Sequence, residues 1–110
     1  MARASAEDRL DEVFHALANR TRRKLVKTLA GGPARVSDLA GPYRMSLNAI
    51  SKHLFVLERA GLIRREKSGA VQTCVLEAGA MASADAWIAD YRRFWDGQID
   101  ALAAFVEKKS

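Results

Sequence analysis

The sequence predicts a mainly α-helical domain with a small β wing, closed by one long helix. Three observations carry that expectation. Apolar residues recur at helical spacing in several separate stretches. Two β-prone runs, Leu62-Ile63 and Val71 to Leu76, flank polar residues containing Ser68-Gly69. From about Ala78 to Lys108 there is no proline and only two glycines, Gly79 and Gly97. That stretch supports a helix on the order of 40 Å long.

In chain order, Leu10, Val13, Phe14 and Leu17 fall at i, i+3, i+4 and i+7, one stripe of an amphipathic helix over 7–18. Asn19 and Thr21 are both good caps, and either can start a second helix. That helix runs through Leu25, Val26 and Leu29 and breaks at Gly31-Gly32-Pro33. A short helix over 36–40, with Ser37 as its cap, leads to a turn at Gly41-Pro42. Ser46 restarts a helix with Leu47, Ile50, Leu54 and Leu57 facing inward, and Gly61 is its natural left-handed end. Next comes a two-stranded hairpin with Gly69 at the turn. Two helices joined by a tight turn and followed at once by a hairpin make a winged helix-turn-helix. The expected layout is one domain over 1–110. Its helix-turn-helix covers about 36–60, its wing about 62–76 and its C-terminal dimerisation helix about 79–108.

Composition narrows the function. A chain of 110 residues supports one domain and is too short for a barrel enzyme. The longest run without Asp, Glu, Lys or Arg is the nine residues from Ser68 to Leu76, well below the roughly 20 of a spanning helix. Glu7, Asp8, Asp11 and Glu12 stand where a signal peptide needs an apolar run, so a cytoplasmic protein is expected. The net charge is +5, but it is unevenly placed. Residues 19–68 hold twelve basic side chains against three acidic, while the segments on either side are mildly acidic. A basic middle between acidic ends suits a surface for a polyanion.

Several segments resemble the ArsR/SmtB-type repressors. Phe14-His15-Ala16-Leu17-Ala18-Asn19-Arg20-Thr21-Arg22-Arg23 is similar to their opening, and Ser46-Leu47-Asn48-Ala49-Ile50-Ser51-Lys52-His53-Leu54 to their recognition helix. Leu57-Glu58-Arg59-Ala60-Gly61-Leu62-Ile63 resembles the exit into the wing. Trp87-Ile88 through Tyr91-Arg92-Arg93-Phe94-Trp95-Asp96 resembles the last helix of the non-metal, autorepressor-like branch. The resemblance covers about residues 8–107. It implies a homodimeric transcriptional repressor whose partners are double-stranded operator DNA and a second copy of itself.

A recognition helix needs short polar side chains at its N-terminal end, backed by apolar residues. Ser46, Asn48, Ala49, Ser51, Lys52 and His53 meet that need. Asn48 can pair with adenine, Lys52 can reach guanine or phosphate, and Ser46 and Ser51 can anchor phosphates. His53 is open to two readings, a DNA contact or a polar packing residue. Arg22 and Arg23 at the start of the second helix, Arg44 before Ser46, and Arg64, Arg65 and Lys67 on the wing are phosphate candidates. Strand alternation sends Arg64 and Arg65 to opposite faces, so one of that pair is expected on DNA.

Ile88, Tyr91, Trp95, Leu102 and Val106 form one stripe of the last helix, with Trp87, Phe94, Ala101 and Phe105 beside it. That surface exceeds what a small domain needs to cover. Trp87, Tyr91, Phe94, Trp95, Leu102 and Phe105, with Leu10 and Phe14 of the first helix, are candidate dimerisation residues; a pocket for a small apolar ligand is the other reading. One cysteine, Cys74, and two histidines, His15 and His53, do not make a clustered metal set, so no metal or cofactor is expected. Cys74 reads as a small buried strand residue or a redox switch. No nucleophile elbow, P-loop or paired catalytic carboxylates are present, so catalysis is not expected. The alternative to a DNA-binding regulator is a winged-helix interaction module, favoured by Ala70 and Gln72 where relatives often carry wing arginines.

Overall fold

The computed structural model describes residues 5–109. Of the expected span 1–110, residues 1–4 and 110 lie outside the described residues. The first helix, α1 (Ala6–Leu17), opens with a capping box. The Ser5 hydroxyl accepts from the Asp8 amide at 3.0 Å, and the Ser5 amide donates to the Asp8 carboxylate at 3.2 Å. Of the two candidate caps for α2 (Arg20–Ala30), Asn19 is the one used; its side chain accepts from the Arg22 amide at 3.1 Å.

After α2 the chain forms a strand, β1 (Ala34–Arg35), then α3 (Val36–Ala40), a single 3-10 turn (Gly41–Tyr43) and α4 (Leu47–Arg59). Strands β2 (Ile63–Ser68) and β3 (Val71–Leu76) make the hairpin, and α5 (Ala78–Lys109) completes the described chain. Gly61 ends α4 at φ 77°, with the Leu62 amide bonded to the Leu57 carbonyl and the Gly61 amide to that of Glu58. Those paired bonds satisfy two carbonyls the helix leaves open, and they require the left-handed glycine. At the hairpin tip only Gly69 has positive φ, at 62°, the arrangement of a two-residue turn with glycine first.

Three sequence expectations need correction. The hairpin has its two expected strands, but the sheet gains a third, in the order β1-β3-β2, because Ala34 and Arg35 pair antiparallel with Cys74 and Thr73. A two-residue strand is too short to show any alternation. Ser37 does not cap α3; the N-cap is Arg35, the last residue of β1, whose side chain bonds Asp38 at 3.1 Å. Leu47 does not face inward with Ile50, Leu54 and Leu57, which are fully buried; it is 54% exposed. It lies in the first turn of α4, past the edge of the core that its spacing points toward.

The core gathers Val13, Leu25, Leu39, Ile50, Leu54, Leu57 and Leu62, with Cys74 of β3 closing it from the sheet. Burial pushes the Cys74 thiol upward, so it stays protonated at neutral pH. By contrast α5 buries only Ala84, with Ala80 and Met81 partly covered. At 32 residues it is roughly 48 Å long and overshoots the body. The radius of gyration is 18.8 Å, against about 13 Å for a compact chain of this length. Among the described residues no helix is long and apolar enough to cross a membrane.

Candidate nucleic-acid interface

Helix α4 is held by its buried row, and that row decides what its other face can do. With Ile50, Leu54 and Leu57 in the core, Asn48, Lys52, Phe55 and Arg59 project outward and are exposed. Ala49, Ser51 and His53 are half-buried. Ser46 caps the helix, its hydroxyl accepting from the Ala49 amide at 3.1 Å. The cap orients the first turn, whose unpaired amides and positive dipole end favour a nearby anion.

Arg65 ties this helix to the wing. It stands opposite Cys74 in the register of β2 and β3, and its guanidinium donates to the Ser51 carbonyl at 3.2 Å. Its Nε lies 3.7 Å from a Glu58 carboxylate oxygen, and the side chain is only 22% exposed. Asn48, Ser51, Lys52, Phe55 and Arg65 therefore border one open depression of about 610 Å³. Arg64 points to the other face, as strand alternation requires, where it bonds Glu66 at 2.9 and 3.0 Å and also Glu77. Lys67 lies exposed near the wing tip, paired in register with Gln72.

The arginines of α2 are engaged with α1. Arg22 donates to the Ala16 carbonyl at 2.7 Å and the His15 carbonyl at 3.1 Å, and Arg23 donates to the Leu17 carbonyl at 2.8 Å. Both cap carbonyls at the C-terminal end of α1, where cations are favoured. Arg22 also reaches Nδ1 of His53 at 3.3 Å. A guanidinium only donates, so Nδ1 accepts and the His53 proton sits on Nε2. Burial first, and the Arg22 charge second, hold the His53 pKa below its usual value. Arg23 is exposed while Arg22 is half-buried. Arg44 is exposed as well and is the one non-glycine residue with positive φ among those described, at 52°.

The candidate dimerisation residues divide into two groups. Leu10 and Phe14 of α1 are half-buried against the core. Trp87, Tyr91, Phe94, Trp95, Leu102 and Phe105 of α5 are all 46–63% exposed. The aromatic rings form a continuous chain. Phe14 meets Trp87 edge to face at 5.6 Å, Trp87 stacks on Tyr91 at 5.1 Å, and Tyr91 contacts both Phe94 and Trp95 near 6 Å. An exposed apolar surface this long is the mark of an interface.

Sequence reasoning missed Phe55, Glu58 and the outward Leu47. Phe55 was readable as an outward helical position, since it lies three residues after Lys52 and away from Leu54. Nothing in the sequence pairs Arg22 with His53, because that contact depends on how α2 and α4 pack.

Comparison with known proteins agrees with this geometry. A family described as a helix-turn-helix domain matches residues 17–66. The chain is 33% identical over 99 residues to HTH-type transcriptional regulator Rv2034 of Mycobacterium tuberculosis, covering 90% of both chains. Among solved structures, the ArsR family transcriptional regulator RHA00566 superposes with a TM-score of 0.78 at 39% identity, covering 86% of this chain and 97% of the other. The homodimeric winged helix-turn-helix DNA-binding domain of Mb0332 from Mycobacterium bovis superposes with a TM-score of 0.63 at 27% identity, covering 79% and 82%.

Proposed function

The chain belongs to the ArsR family of winged helix-turn-helix transcriptional regulators and is a DNA-binding regulator; from that premise we propose that it acts as a homodimeric repressor of a pseudo-palindromic operator near its own promoter. The observation that carries this reading is the outward row of α4, Asn48 and Lys52, bordering one depression with Ser51 and the wing's Arg65. Asn48 reads a base edge in the major groove, and Lys52 reads guanine or holds a phosphate. Ser46 and Ser51, with Ala49 and His53 beside them, seat the helix, while Arg44, Arg23 and Lys67 meet the phosphate backbone. Arg22, Arg64 and Arg65 act more through their protein partners: Arg22 braces α1 and α4, Arg65 braces α4 and the wing, and Arg64 is held by two carboxylates.

Dimerisation supplies the second half-site. The aromatic face of α5 with Leu10 and Phe14 of α1 is the surface that the second copy covers, which accounts for so elongated a single chain. The homodimeric state of the Mb0332 domain supports the same arrangement. Two recognition helices about 34 Å apart meet successive major-groove faces. The dimer blocks polymerase by occupying promoter DNA in the cytoplasm, with no catalytic step. A gel-shift on the DNA upstream of its gene tests this. A specific, competitor-resistant complex is expected; no specific retardation at low salt contradicts it.

A further inference from the structure

Leu47 stands beside Asn48 at the start of α4, and its chemistry differs from that of Asn48 and Lys52. It occupies the first turn of the helix, between the cap Ser46 and Asn48, in the part of a recognition helix that reaches base edges. There it is 54% exposed, while the three leucines and isoleucines that follow on its stripe are buried. Beside it Val71, at the start of β3 in the wing, is 43% exposed. Leu47, Val36, Ala70, Val71 and Gln72, with Arg35 and Ser37, line one open recess of about 260 Å³ between the start of α4 and the wing. Three of these seven side chains, Val36, Leu47 and Val71, are aliphatic and branched. A half-exposed leucine in a first helical turn contributes little to folding, since that turn favours polar and acidic residues.

We infer that Leu47 is a specificity-determining residue that selects thymine through its C5 methyl group. The thymine methyl is the one apolar group on the major-groove edge of any base pair, and aliphatic side chains are its natural contacts. Covering it removes the exposed surface of Leu47 from water without leaving a polar group unpaired. Each half-site then holds a thymine next to the base read by Asn48, and cytosine, which carries no methyl, is disfavoured there.

This inference rests on the DNA-binding reading above, so the experiment separates the two. The full-length protein selects its site from a randomised duplex pool, and each thymine of the selected site is then replaced in turn by deoxyuridine, which removes only the methyl. We expect one deoxyuridine position per half-site to weaken wild-type binding by about three- to five-fold, the effect of one buried methyl. Leu47→Ala loses that sensitivity, and Leu47→Gln loses it while moving the preference at that position toward adenine. Circular dichroism and non-specific DNA affinity check that both variants fold. Equal wild-type affinity for every deoxyuridine probe overturns the role of Leu47 while leaving sequence-specific binding intact. The same holds for a methyl sensitivity that persists in Leu47→Ala. Failure to select any sequence overturns the DNA-binding reading and this inference with it.

Discussion

Nη1 of Arg22, on α2, lies 3.3 Å from Nδ1 of His53, on α4, while the rest of the same guanidinium caps the end of α1. One side chain thus joins three helices and sets the position of the recognition helix against the body. The contact requires neutral His53, whose pKa burial and Arg22 hold below its ordinary value near 6.5.

A pH dependence follows. Below about pH 6.5 the unfolded chain protonates His53 before the folded one does, so the unfolded state binds more protons and stability falls as pH falls. The loss runs from about 6.5 down to the lower folded value and levels off beneath it. His53→Asn keeps an acceptor for Arg22 without a titrating group. Urea unfolding between pH 5 and 7.5 should therefore give a shallower acid decline for the variant than for the wild type; parallel curves would remove His53 from the account.

Arg22 and Arg23 are neighbours in sequence with different work. Arg22→Ala leaves the Ala16 and His15 carbonyls without their charged donor and should cost about 1.5–3 kcal/mol of stability. Arg23→Ala removes one solvent-exposed bond, to the Leu17 carbonyl, and should cost less, about 0.5–1 kcal/mol. It should weaken binding to all DNA sequences alike and lower the steepness of the salt dependence by about one charge. Thermal melts and salt-titrated binding of the two variants check this pairing, and an equal loss of stability in both would contradict it.

Arg44 holds a left-handed backbone that glycine adopts without steric cost. Arg44→Gly should raise stability by roughly 0.5–1 kcal/mol, the released strain being partly offset by the freer unfolded chain. The same substitution should weaken DNA binding through the lost phosphate contact. A variant that is both less stable and equally tight would show that the arginine is there for folding.

The α5 face predicts its own variant. Trp95→Glu places a carboxylate in the aromatic surface at a position that is 48% exposed in the single chain, so the monomer should fold normally. Light scattering should report a dimer for the wild type and a monomer, or a concentration-dependent mixture, for Trp95→Glu. A monomeric wild type would contradict the dimeric reading.

Most of the fold was legible in the sequence because its boundaries are written in single residues. Asn19 and Ser46 cap helices, Gly61 ends one and Gly69 turns the hairpin, each for a local reason that needs no tertiary knowledge. The missed elements are those that only packing decides. Strand β1 has two residues and exists because β3 has an open edge beside it. Leu47 keeps perfect helical spacing, yet its turn begins where the core has ended. The basic excess over 19–68 coincides with the proposed interface, but counting charges could not tell an arginine facing solvent from Arg22, which faces carbonyls, or Arg64, which faces Glu66 and Glu77.

The measurement that bears most directly on the account is a hydroxyl-radical footprint of the wild type and of Asn48→Ala on the selected operator. The account predicts two protected half-sites with centres about 10–11 base pairs apart, or a multiple of that, occupied by two protomers. Asn48→Ala should lose roughly 1–3 kcal/mol of preference for that site over unrelated DNA while keeping its non-specific affinity. A single protected segment occupied by one protomer, or protection that Asn48→Ala leaves unchanged, would contradict it.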